Sequence, residues 1–300
     1  MTRILVIRLG AFGDVVLSFG PFAAIRAWHP QAEISLLTTA PFAGMARAAP
    51  WFDRVLVDSR PAWWDFFGVW RLRGRLRGYD LVYDLQTSGR TDRYFWLAGR
   101  PAWSGTALGC SLPHANKARG AMHTLERQRE QLLMAGVENF PAPDLSWLAG
   151  AAFELPEKFA LLVPGAAAHR PGKRWPAERF GALAAVLHGR GITPVVLGTT
   201  TEAKLAAIIR QKCPEAVDLT GRTSMADIAG LARRAVLAVG NDTGPMHLIA
   251  AVGCPSTVVF SADSDPALTA PRGPGGAWPV VLRVADLADL TAERVAAALP

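Results

Sequence analysis

The chain has little cysteine. Cys110, Cys213 and Cys254 lie far apart among 300 residues and form no Cys-x-x-Cys pair. That excludes a disulfide scaffold and a cysteine zinc site, and it fits a reducing cytoplasm. Long apolar runs are also missing: the stretch 248–260 is too short to span a bilayer and contains Pro255. No secretory signal opens the chain, because Arg8 and Asp14 interrupt the first apolar run and no small-residue cleavage site follows. Basic-aromatic RNA motifs and zinc-finger spacings are absent, which argues against nucleic acid as a partner. Lysine is scarce among the 32 cationic residues, a mark of genome composition rather than of function. The expectation is a cytoplasmic protein, at most peripheral to a membrane.

What is present is a normal globular balance, 50% hydrophobic and 19% charged, with material for two cores. The net charge of +7 is unevenly placed. Residues 1–150 carry 17 cationic against 12 anionic side chains and the rest 15 against 13. A basic N-terminal half suits an anionic partner such as a phosphorylated glycolipid or a membrane surface.

Short buried strands alternate with helices. Residues 3–9 form a nearly continuous apolar run, Gly10–Asp14 a turn, and residues 15–28 a helix; strands follow at 33–38, 54–57 and 81–85. Prolines and weak periodicity near 140–157 mark a linker. A second series then opens with a strand at 159–163. Helices follow at 178–188, 202–212 and 225–232, with strands at 194–197, 235–239 and 256–260. The reading is α/β with parallel sheets: two Rossmann-like domains, 1–150 and 151–300, of GT-B type facing across a cleft.

Three stretches carry candidate chemistry. Gly240-Asn241-Asp242-Thr243-Gly244-Pro245-Met246-His247 reads as strand, polar turn and helix start. Asp242 or Thr243 can cap that helix, Pro245 suits its first position, and Gly244 lets a ligand approach the backbone. The helix start makes a seat for a phosphate. Next, a strand end at Pro164-Gly165 leads into a loop with His169, Arg170, Lys173 and Arg174, cations able to hold a diphosphate. Third, Gly10-x-x-Gly13-Asp14 lacks the glycine spacing of a dinucleotide site and places a carboxylate at a helix start. Asp14 serves there as a capping carboxylate or as a general base for a sugar hydroxyl. Asp263-x-Asp265 matches a metal-binding pattern only superficially, and no metal or cofactor is expected.

Taken in order, Arg8 through Val16, Pro164-Gly165 through Lys173-Arg174-Trp175-Pro176, and Asn241 through Leu248 resemble glycosyltransferase family 9, the ADP-heptose:lipopolysaccharide heptosyltransferases. Residues 80–86 and 260–271 resemble further family segments. The resemblance implies an inverting, metal-independent transfer of heptose from ADP-heptose to a lipopolysaccharide inner-core or related acceptor. It implies Asp14 as catalytic base and Lys173 as the cation on the departing diphosphate. Gly165, His169, Arg174, Glu202, Asp242, Thr243, Gly244 and His247 are then donor-binding, with Glu202 on the adenosine ribose. Family members often carry serine or threonine where this chain has Ala166-Ala167-Ala168-His169, and His169 is the candidate replacement. The alternatives are a silent nucleotide-sugar-binding protein, or a relative using another nucleotide-sugar or a protein acceptor.

On the acceptor side, Gly13, Arg90, Arg93, Lys117 and Arg119 are candidates for an anionic lipid-linked glycan. Arg71, Arg73, Arg75 and Arg77 stand beside Trp63, Trp64, Phe66, Phe67 and Trp70. That stretch reads as a helix with a solvated basic face, or as an interfacial patch that meets lipid.

Overall fold

The computed structural model describes residues 1–167 and 169–300, so Ala168 of the alanine run lies outside the described residues. The chain divides into two units, Met1–Trp147 and Leu148–Pro300.

The first unit holds β1 (Arg3–Ile7), α1 (Phe12–Val16), α2 (Phe19–Trp28), β2 (Glu33–Thr38), α3 (Ala40–Ala48), β3 (Arg54–Val57) and α4 (Phe66–Leu76). It continues through β4 (Leu81–Asp84), α5 (Gly89–Ala98), β5 (Ala102–Gly105), β6 (Leu112–Pro113) and α6 (Thr124–Met134). Its sheet runs β3-β2-β1-β4-β5-β6 with every pair parallel. Residues 4–7 of β1 are wholly buried because both faces of a parallel sheet are covered.

The second unit repeats the plan with β7 (Phe159–Val163), α7 (Ala177–Gly189), β8 (Thr193–Val196), α8 (Ala203–Lys212), β9 (Val217–Asp218) and α9 (Met225–Arg234). Then come β10 (Leu237–Asn241), α10 (Gly244–Ala251), β11 (Ser256–Phe260), α11 (Pro266–Thr269), β12 (Val280–Arg283) and α12 (Ala292–Ala297). The sheet order is β12-β11-β10-β7-β8-β9, again all parallel. Both sheets therefore have the Rossmann strand order. In each, the order reverses between the first and fourth strands of the unit, and ligands bind such sheets beyond the carboxyl ends of the strands at that point.

Two local expectations change. The helix expected over 15–28 is two helices, broken at Leu17 and Ser18, and the first begins at Phe12. Leu17 N–H bonds to Gly13 O and Ser18 N–H to Val15 O, so a tight turn closes α1 before α2 starts. The other change is at α10: Gly244 takes the first helical position and Pro245 the second, with Thr243 as N-cap. The Thr243 hydroxyl makes no capping hydrogen bond.

Candidate functional site

In the first unit, the reversal point lies between β1 and β4, and the loops there are tied together by buried side chains. Arg8 follows β1 and is 3% exposed. Its Nη1 donates to Leu85 O at 2.6 Å, its Nε to Asp14 O at 3.2 Å, and its Nη2 pairs with Asp14 Oδ1 at 3.1 Å. Burial, with Arg127 nearby, works against the charge on Arg8; Asp14 and Asp84 favour it. The second carboxylate oxygen of Asp14 accepts Ala11 N–H at 3.1 Å, and the side chain keeps 36% of its surface exposed. The result is an oriented carboxylate at a helix start with one side open to solvent. Gly13, expected on the acceptor side, is buried inside α1.

Beside it, Gln86 accepts Leu9 N–H through Oε1 at 2.9 Å. Asp84, fully buried at the end of β4, accepts the amides of Gln86 and Thr87 at 3.1 and 3.0 Å. Burial pushes its pKa up to about 7 against those hydrogen bonds. Arg119 donates to Thr87 Oγ1 at 2.9 Å and to His114 Nδ1 at 3.2 Å, while His114 Nε2 meets Glu130 Oε2 at 2.7 Å. Arg90 donates to Tyr94 OH at 2.6 Å and to Pro61 O at 2.7 Å, and Arg90 and Arg93 both stack on Trp63, at 4.8 and 5.0 Å. Arg119 thus braces the loop after β4 and Arg90 the loop after β3, and Lys117 is exposed.

In the second unit, the reversal point lies between β7 and β10. Asn241, 0% exposed, locks the loops there: its Oδ1 accepts Trp175 N–H at 2.9 Å and its Nδ2 donates to Pro164 O at 2.7 Å. That bridge draws the cationic loop back over the strand ends. Lys173 Nζ then pairs with Asp242 Oδ2 at 2.5 Å, with side chains 11% and 7% exposed. Arg174 donates to Ala166 O at 2.9 Å.

Glu202 stands beside Gly165 at the end of β7. It accepts Thr199 N–H at 2.8 Å and the hydroxyls of Thr199 and Thr201 at 2.6 and 2.9 Å. Burial alone would raise its pKa, but these bonds and Arg174 hold it below the usual carboxylate range. A Cβ on Gly165 would lie 3.0 Å from Glu202 Cγ, so the bare glycine leaves room beside this carboxylate. At α10, Pro245 has no N–H and that of Met246 goes to Thr243 O, which leaves the Gly244 amide and the Thr243 hydroxyl for an anion. His247 is buried at 6% and His169 is exposed. Asp265 is committed locally, capping α11 through Ala267 N–H at 3.0 Å and meeting Arg283 at 3.6 Å. Among the described residues no group of three or more His, Cys, Asp or Glu side chains gathers as a metal site.

Sequence reasoning missed Arg8, Asp84 and Asn241 as site residues. Arg8 had a signal, since an arginine ending an otherwise apolar buried strand needs partners. Asn241 ends a buried strand in the same way. Asp84 had none beyond its place at the end of β4.

A family model described as "Glycosyltransferase family 9 (heptosyltransferase)" matches residues 69–277. The chain is 24% identical over 326 residues to lipooligosaccharide heptosyltransferase 2 of Haemophilus ducreyi, covering 95% of this chain and 89% of that protein. A shorter match, 33% over 99 residues, joins it to lipooligosaccharide heptosyltransferase 2 of Haemophilus influenzae and covers 31% of this chain and 29% of that one. Among solved structures, E. coli heptosyltransferase WaaC, determined with ADP and with ADP-2-deoxy-2-fluoro heptose, aligns with a TM-score of 0.77 at 22% identity. That alignment covers 99% of this chain and 98% of WaaC, a likeness of fold.

Proposed function

Because the chain belongs to glycosyltransferase family 9, the heptosyltransferases, we propose that it moves heptose from ADP-heptose to a sugar hydroxyl of a lipopolysaccharide inner-core acceptor. The first unit takes the acceptor and the second the donor. Asp14 removes the proton of the attacking hydroxyl, whose oxygen bonds the anomeric carbon as the bond to the diphosphate breaks. Attack from the face opposite the leaving group inverts that carbon. Lys173 and Arg174 offset the charge that builds on the departing ADP, so no metal is needed. The Thr243 hydroxyl, the Gly244 amide and Gly165 admit the phosphates, Asp242 and His247 flank the donor, and Glu202 accepts the ribose hydroxyls. His169, on the exposed loop, replaces family hydroxyls at the phosphates. Arg90, Arg93, Lys117 and Arg119 face an anionic, lipid-linked acceptor, and the enzyme works peripherally at the cytoplasmic membrane face.

The observation that carries this reading is the Asp14 carboxylate, held on one side by a buried arginine and open on the other. A carboxylate with its orientation fixed and one face solvated is placed to accept a proton. The test is transfer from ADP-heptose to a delipidated core acceptor, run alongside calorimetric titration with ADP, UDP and GDP. Asp14→Ala is expected to lose transfer by at least a thousandfold and to keep its affinity for ADP. Lys173→Gln is expected to weaken ADP about ten- to a hundredfold, the worth of a charge-assisted contact. A chelator should change neither. Wild-type turnover in Asp14→Ala, or preference for UDP or GDP, would refute the assignment.

A further inference from the structure

The surface of α4 stands apart from the rest of the molecule. Among the described residues, six large apolar side chains are more than 70% exposed, and four of them fall within seven positions: Trp64 at 81%, Phe66 and Phe67 at 82% and Trp70 at 71%. The helix packs on its unit through Gly68, Leu72 and Leu76, a spacing of four that defines one buried stripe. At about 100° per residue, Phe66, Phe67 and Trp70 share the arc opposite that stripe. Arg73 flanks this ridge on one side and Arg71 on the other, and Arg77 continues it one turn on. No acidic residue occurs from Phe66 to Tyr79. Asp65, just before the helix, spends its carboxylate on Gly68 N–H at 2.9 Å, and Asp80, just after, on Arg3 N–H at 2.8 Å. An open hollow of about 510 Å³ is lined by Trp70, Gly74 and Arg71, Arg73, Arg75 and Arg77.

We infer that this face of α4 is a docking surface for an anionic lipid bilayer. The aromatic ridge enters the headgroup region and Arg71, Arg73 and Arg77 meet lipid phosphates. One feature argues for lipid over a second copy of the chain: a two-fold contact would set the arginine cluster against its own copy, while lipid phosphate complements it. Arg75 is tied back to Val57 O at 2.5 Å and is left out of the contact set. The loop feeding α4 is tied to the loop after β1 by Arg60 Nη2 to Leu9 O at 2.9 Å, and it is held to α5 by Arg90 Nη2 to Pro61 O. This inference deepens the acceptor side of the proposed function by naming the surface that brings the enzyme to a lipid-linked substrate.

The experiment is co-sedimentation of the full chain with vesicles of phosphatidylcholine alone and with 30% phosphatidylglycerol by design, at low and high salt. Two variants accompany it, F66S/F67S/W70S and R71Q/R73Q/R77Q, all at exposed positions, with melting curves to check folding. Binding is expected for anionic vesicles, weakened by salt. The arginine variant should lose about a hundredfold in affinity and the aromatic variant at least tenfold. Transfer to the delipidated acceptor should be unchanged in both. Absence of vesicle binding by the wild-type chain overturns the inference, as does equal binding by a folded aromatic variant. So does a wild-type dimer that the aromatic variant converts to monomer. Failure of the wild-type chain to transfer to the soluble acceptor would instead overturn the proposed function and leave the vesicle result standing.

Discussion

The buried guanidinium of Arg8 grips Asp14 twice, at the carboxylate Oδ1 and at the backbone carbonyl, while a third contact fastens it to Leu85 O at the end of β4. The carboxylate therefore takes its orientation from the sheet as well as from its own helix start, where Ala11 N–H donates to Oδ2. Lysine at position 8 keeps the charge but cannot span three acceptors with one ammonium. Arg8→Lys is expected to lower kcat ten- to a hundredfold, in line with the cost of a slightly misplaced catalytic group. ADP affinity should not change, because the proposed donor site draws its residues from the second unit. Steady-state kinetics with paired calorimetry check this, and a parallel loss of ADP binding would contradict it.

Asp84 predicts how stability depends on pH. Its native pKa, near 7, lies above the ordinary 3.8 of the unfolded chain because burial penalises the charge. Between those values the native state keeps a proton that the unfolded chain has lost. Stability from this group is therefore full below about pH 4 and declines as pH rises toward 7, with a slope of at most about 1.4 kcal/mol per pH unit. Asp84→Asn, which cannot ionise, should flatten that part of the curve. Denaturant melts at intervals from pH 4.5 to 8 provide the measurement. Identical slopes for the two proteins would show that Asp84 is ionised in the native state throughout.

Gly240 and Gly44 predict opposite outcomes for the same substitution. A Cβ at Gly240 in β10 would sit 2.6 Å from Met246 Sδ and 2.8 Å from Val163 Cβ, so Gly240→Ala should cost about 1–3 kcal/mol by overpacking. Because Met246 belongs to α10, the same change should push that helix start outward and weaken ADP. At Gly44 in α3 a Cβ meets nothing within 4 Å. Gly44→Ala should stabilise by about 0.5–1 kcal/mol, the usual gain in a helix. Chemical denaturation of the two variants side by side decides it.

Much of this was legible along the chain. β7 was readable residue for residue, because a parallel strand covered on both faces is an unbroken apolar run, and β11 was readable to the residue although it opens on Ser256 and Thr257. The strands β5, β6 and β9 were not, being two to four residues long and without a period of their own. The apolar pattern runs through Leu17 and masked the break between α1 and α2, although Ser18 followed by Gly20-Pro21 in the first turn of α2 marked a helix start. Lys173 and Asp242 each stood out as polar residues in a turn, yet their pairing spans 69 positions and no local rule announces it.

The sequence by itself determined the alternation of strand and helix, the two-fold repetition of that plan, and the motifs that mark the family. These depend on hydrophobic period and on turn chemistry, which are local. Only the tertiary structure decided which polar groups are buried together: Arg8 on Asp14, Asn241 across Pro164 and Trp175, Asp84 with a raised pKa, and four aromatics left outside. Those outcomes follow from desolvation and from distance in space, and residues far apart in the chain acquire both only when the sheets assemble.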